Sequence, residues 1–157
     1  MASEFPNLKK ALEDYIEDVK NHYKDTLTRD NKKATGKLIN TVRANVKIGA
    51  TQYTAELRLQ DYWKYIEYGT KPHWPPSSAI LKWIHAKPIL PKAINGITPT
   101  ETQLAYLIGR KISREGTKGG NYLQDSIDDI NSWYKSKFEE ALAKDIGDEL
   151  AVIFNNF

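Results

Sequence analysis

Ten apolar residues, Leu123, Ile127, Ile130, Tyr134, Phe138, Leu142, Ile146, Leu150, Ile153 and Phe157, recur at spacings of three or four across the last 35 residues of the chain. That spacing marks one face of a helix. An unbroken helix of more than 30 residues runs to about 45 Å, and it commits more than a fifth of the 157 residues to a single element. Gly147 is the one position where a kink or break is expected. The acidic residues here, Asp125, Asp128, Asp129, Glu139, Glu140, Asp145, Asp148 and Glu149, fall mainly off the apolar stripe and read as a solvated helix face.

A second helical period opens the chain. Phe5, Leu8, Leu12, Tyr15, Val19, Tyr23 and Leu27 share one face, Ser3 stands as an N-cap and Pro6 falls in the first turn, which predicts a helix over roughly 4–28. From Leu38 the period changes to two, with Leu38, Val42, Ala44, Val46 and Ile48 on one side and Thr41, Arg43, Asn45 and Lys47 on the other. Alternation resumes in Tyr53, Ala55, Leu57 and Leu59 after Gly49, so the two runs predict an antiparallel β-hairpin covered by the first helix. Asp61–Tyr68 reads as a short helix ended by Gly69, and Ser77-Ser78 cap another through Ile84. Residues 87–99 form a Pro-containing loop, and Thr100 with Gln103 opens a helix that Gly116 ends. The order is that of a single α+β domain spanning 1–157: a hairpin or small sheet packed by an N-terminal helix and a long C-terminal helix.

Composition excludes several function classes. Cysteine is absent, which removes disulfides, thiolate zinc sites and a Cys nucleophile. No run of about 18 apolar residues exists, and Met1–Pro6 lacks the basic-then-apolar pattern of a secretory signal, so neither membrane insertion nor Sec-type export is expected. His22 reads as a lone surface histidine of the first helix, and His73 and His85, 12 apart, have no second histidine or carboxylate at helical ligand spacing, so no metal site is expected. No nucleophile elbow, phosphate-binding loop or dinucleotide fingerprint occurs, so no catalytic residue and no cofactor is predicted.

Charge is distributed unevenly. Residues 1–35 carry 7 basic and 7 acidic groups, residues 36–120 carry 13 and 5, and residues 121–157 carry 3 and 8. An acidic tail folding over the basic middle, opposite faces meeting between subunits, and a basic face meeting an anionic partner are all consistent with this. Arg110, Lys111, Arg114 and Lys118 surround a Gly-rich turn, either as cations favoured at a helix C-terminus or as a loop that touches nucleic acid or an acidic neighbour. Tyr62, Trp63, Tyr65, Tyr68 and Trp74 crowd into 13 residues, interleaved with Glu67, Lys71 and His73. So many amphipathic rings fit a protein interface, or a stacking platform for single-stranded nucleic acid.

The stretch Tyr65-Ile66-Glu67-Tyr68-Gly69-Thr70-Lys71-Pro72-His73-Trp74-Pro75-Pro76 resembles the Glu-aromatic-Gly-Thr-x-Pro-His-x-Pro segment of a tailed-bacteriophage neck and minor-tail-component family, the head-to-tail joining or tail-completion proteins. Thr35-Gly36-Lys37-Leu38 with Thr41, the helix containing Ala105, Ile108, Lys111 and Ile112, and Gly116-Thr117-Lys118 follow in the family's order, so the resemblance spans roughly 30–140. Many relatives carry a Pro-aromatic pair after the second Gly-Thr, where this chain has Gly119-Gly120-Asn121-Tyr122.

The resemblance implies a virion structural protein that is not an enzyme, assembled in bacterial cytoplasm as a homo-oligomeric ring, commonly a hexamer. Its implied place is between portal, adaptor or head-closure proteins and the tail terminator or tail tube, with DNA passing through the lumen. On that reading Tyr62, Trp63, Tyr65, Glu67, Tyr68, Gly69, Thr70, Lys71, Pro72, His73 and Trp74 are subunit or ring-ring interface candidates. Arg110, Lys111, Arg114 and Lys118 are lumen, DNA or mobile-arm candidates. The alternative is a nucleic-acid-binding accessory protein that uses the basic middle segment and its aromatics. Independently, a glycine followed by Thr-x-Pro after an aromatic element is where positive φ is expected, at Gly69.

Overall fold

Because the apolar stripe of the last helix is uninterrupted, that helix forms in one piece. A computed structural model describes residues 5–32, 35–49, 52–93 and 95–155. Its elements are α1 (Pro6–Arg29), α2 (Lys37–Thr41), β1 (Arg43–Ile48), β2 (Tyr53–Arg58), α3 (Trp63–Tyr68), β3 (Gly69–Thr70), α4 (Ser77–Ala86), α5 (Glu101–Glu115), β4 (Thr117–Lys118) and α6 (Tyr122–Asn155). The fold is α+β, with the N-terminal and C-terminal helices packed together and two small antiparallel sheets.

α6 runs 34 residues straight through Gly147, so the predicted break does not occur. One helical glycine costs only about 1 kcal/mol relative to alanine, too little to interrupt a helix already held up to Asp145 by its packing on α1. Val19 of α1 packs with Ile130 and Tyr134 of α6. Tyr15 meets Tyr134 and Phe138 edge to face and those two rings pack tilted on each other, at centroid distances of 5.4 to 5.7 Å. The Tyr134 hydroxyl donates to Asp18 Oδ2 at 2.5 Å.

Tyr23, Leu27, Leu38, Val42 and Tyr122 form the adjoining cluster, and Leu57 of β2 touches both. The hairpin pairs Arg43 with Arg58 through to Ile48 with Tyr53, its inner face turned to α1 as its period requires. Ile48, predicted inward, is 44% exposed because it lies at the hairpin tip. Leu38 does not begin the strand. Gly36, at φ 79°, opens the single helical turn α2 instead, and extended chain starts only at Val42. α4 likewise starts with Pro76 at its cap and no serine side-chain bond.

Ser3, the expected cap of α1, lies outside the described residues, and Phe5 occupies the cap position, where its side chain offers no acceptor. The free amides are met from across the molecule. Asp145 of α6, 2% exposed, accepts from Leu8 N at 2.8 Å, Asn7 N at 3.0 Å and Asn7 Nδ2 at 2.6 Å. Asp145 therefore leaves the solvated acidic face to which the sequence assigned it. Its position seven residues beyond Phe138 puts it on the α1-facing stripe.

Burial alone would raise the Asp145 carboxyl, but the hydrogen bonds from Leu8 and Asn7 outweigh it and hold the group below its ordinary value. A depressed folded-state value stabilises the protein above the unfolded Asp value of about 3.9, and that stability is lost as pH falls through the folded value. Asp145→Asn is expected to cost about 1–3 kcal/mol at pH 7. Urea midpoints of the variant and the parent should converge in acid; an equal gap at neutral and acid pH would refute the cap.

Candidate functional site

Two Gly-Thr-Lys triplets meet where the helices end. Gly69 caps α3 at φ 75°, ψ −166°, and Gly116 caps α5 at φ 71°, ψ −157°. This region of backbone space is accessible essentially only to glycine, and the positive φ expected at Gly69 is present. The two segments pair antiparallel, Gly69 with Lys118 and Thr70 with Thr117. The threonine hydroxyls meet at 2.9 Å. A Cβ on Gly69 would stand 2.0 Å from the Thr117 carbonyl oxygen, one on Gly116 2.1 Å from that of Thr70, and one on Gly119 2.2 Å from that of Glu67. Backbone touches backbone at all three.

This ladder joins a body (α1, α2, β1–β2, α3, α6) to an α4–α5 hairpin that has its own small core of Ile80, Ile84 and Ala105. The Thr100–Gln103 capping box forms as the sequence predicted. Trp74 lies over α5, where Gly109 leaves room for its ring beside Ile80, and its ring centre is 5.7 Å from that of Tyr106.

The aromatic segment divides. Tyr62, Trp63 and Ile66 turn into the body's core, while Tyr65 and Tyr68 are 63% and 71% exposed. Trp63 stays within 5.9 Å of Tyr68. Lys71, Pro72, His73 and Trp74 are exposed, and His73 Nδ1 lies 2.9 Å from the Lys71 carbonyl. Gly69 and Thr70 are half-buried in the ladder.

Glu67, predicted among the interface residues, is 2% exposed and cannot face a partner. Its two carboxylate oxygens accept from Leu123 N at 2.8 Å and Gln124 N at 3.0 Å, in the first turn of α6. The backbone carbonyls of Ile66 and Glu67 accept from Gly120 and Asn121 at 3.1 Å. The reason is electrostatic: the long helix presents unpaired amides at its start, and a carboxylate is the strongest available acceptor.

Of the basic candidates, Arg110, Lys111 and Arg114 are exposed on α5, with Lys111 3.9 Å from Glu115. Lys118 instead borders an apolar groove of about 700 Å³ between the body and the α4–α5 hairpin. Leu38, Tyr65 and Ile66 line one wall, and Trp83, Ile108 and Ile112 the other. Lys32, Lys37 and Lys87 complete its cationic rim, and among the described residues no acid lines it. Lys87 donates to the Asn31 carbonyl and, at 3.1 Å, to Asn31 Oδ1, clasping the end of α1. Burial first, and then Lys32 beside it, hold Lys87 below the ordinary lysine value.

Sequence reading did not find this groove, because its walls come from five separate stretches. Its one visible trace was the excess of cations over the middle of the chain. Among the described residues no group of three or more His, Asp or Glu side chains converges as metal ligands. No described helix is long and apolar enough to cross a membrane. No protein-family model, no curated protein and no solved structure matches this chain.

Proposed function

We propose that this chain is a structural subunit of the neck of a tailed bacteriophage: a head-to-tail joining or tail-completion protein without catalytic activity. Copies form a ring, commonly six-fold, between portal, adaptor or head-closure proteins and the tail terminator or tail tube, with DNA passing through the lumen. The virion is its location after assembly in the host cytoplasm. One observation carries the reading. The segment that resembles the neck family, Tyr65–Pro76, is also the one that forms the ladder to Gly116-Thr117-Lys118, and it presents Tyr65, Tyr68 and Trp74 to solvent. Large rings held outward on a rigid support are typical of contact surfaces.

The test is the mass of the protein in solution over a concentration series, followed by negative-stain imaging and by detection in purified virions. Expected are a mass several times 18.0 kDa, a closed ring with a hole wide enough for duplex DNA, and a few copies per particle. Tyr68→Ala and Trp74→Ala should lower ring or virion yield while leaving the circular dichroism unchanged. A monomer at every concentration together with absence from virions would overturn the reading. The competing nucleic-acid reading draws on Arg110 and Arg114, exposed four residues apart on α5. It requires tight DNA binding that falls steeply with salt, whereas a neck ring should bind weakly at about 0.15 M salt.

A further inference from the structure

α1 begins at Pro6, opposite Asp145, so α6 continues past it, and among the described residues nothing packs on its final turns. On that free end Leu142, Ile146, Leu150 and Ile153 keep the stripe spacing and are 38%, 45%, 47% and 51% exposed. Phe154 beside them is 74% exposed. Anchors at i, i+4, i+8 and i+11 are the pattern of a helix that lies in an apolar groove. By helical spacing the exposed Glu139 and Glu149 border the stripe while Glu140 and Asp148 lie further round the helix, and Lys144 is the single cation of the described end.

The groove between the body and the α4–α5 hairpin has the complementary character: apolar walls, a rim of Lys32, Lys37, Lys87 and Lys118, and no acid among its described lining residues. The same chain cannot join the two. Thr117 and Lys118 place the groove beside the start of α6, whereas Leu142 to Phe154 lie roughly 30–48 Å further along that rigid helix.

We infer that the C-terminal end of α6 of one copy docks in the basic-rimmed groove of a second copy, apolar stripe inward and acidic flanks against the lysines. Different surfaces meet, so the contact is head-to-tail and propagates until it closes on itself. It deepens the ring reading by naming the contact between copies, and the groove's cations, which crowd one another in the free subunit, gain counter-charges on assembly.

The cysteine-free sequence makes the test clean. Tyr65→Cys, at the groove, and Ile153→Cys, on the α6 end, are purified separately, mixed at up to about 1 mM and oxidised. A mixed disulfide between the two variants, in preference to either self-pair, is expected. Leu150→Asp, at an exposed position that leaves the core intact, should weaken self-association by roughly tenfold or more in sedimentation. Ile153→Cys pairing with itself shows that the free ends pack on each other, and absence of any cross-link shows that they pack on nothing; either overturns the contact. Rings seen without the mixed disulfide remove the groove assignment and leave the neck reading standing. A mixed disulfide in a protein absent from virions does the reverse.

Discussion

Gly69→Ala is expected to destabilise the protein by about 3 kcal/mol or more. Two costs combine. At φ 75°, ψ −166° the backbone sits where a side chain is strained whatever space surrounds it. The added Cβ would also lie 2.0 Å from Thr117 O, 2.6 Å from Gly119 N and 3.0 Å from the Lys118 carbonyl carbon. These are main-chain atoms, so no rotamer change relieves the contact, and the ladder to Thr117–Lys118 must open. With the ladder goes the geometry of the groove that it borders. Gly147→Ala is the matched control: φ there is ordinary and nothing lies within 4 Å of the new Cβ, so replacing a helical glycine should stabilise by roughly 0.5–1 kcal/mol. Urea midpoints read both, and a Gly69→Ala midpoint within experimental error of the parent's would refute the close approach.

Most of what a helix or strand period controls was legible in the sequence, although the period-two reading began the first strand at Leu38, where a helical turn stands. The stripes of α1 and α6, the hairpin alternation and the Thr100–Gln103 cap each depend on residues near one another in the chain, where spacing alone decides which face is buried. Long-range polar pairings were not legible. Asp145 and Glu67 look like any acid on a helix surface until their partners, 138 and 56 residues away, are brought opposite them. The Asp145 heptad position was a usable local signal, whereas Glu67 offered none. The candidate site was half-visible: the aromatic segment stood out by density, but which rings turn inward depends on α3 packing on Tyr122 and Leu123. The two Gly-Thr-Lys triplets at 69–71 and 116–118 are too short to stand out as an internal repeat. That the two copies pair follows only from the turns their glycines permit.

Glu67→Ala should be comparably damaging, costing about 2–4 kcal/mol. The carboxylate is buried and divided between two amides of α6, one per oxygen. Its removal leaves the Leu123 and Gln124 amides without that acceptor beneath a side-chain-sized void. The loss also propagates further than a surface cap would. α6 begins beside Tyr122, a member of the core that includes Tyr23 and Leu27, so fraying its first turn loosens the packing of α1 against α3. Glu67→Gln separates the causes. It keeps the volume and one acceptor oxygen but gives up the charge that complements the helix N-terminus, so its midpoint should fall between those of the parent and Glu67→Ala. Hydrogen exchange localises the effect, with protection expected to fall first at Leu123 and Gln124 and to persist around Tyr134, where α6 is held by Asp18 and Tyr15. Uniform loss of protection along all 34 residues of α6 would mean that the helix unfolds as one unit and that Glu67 anchors the whole of it.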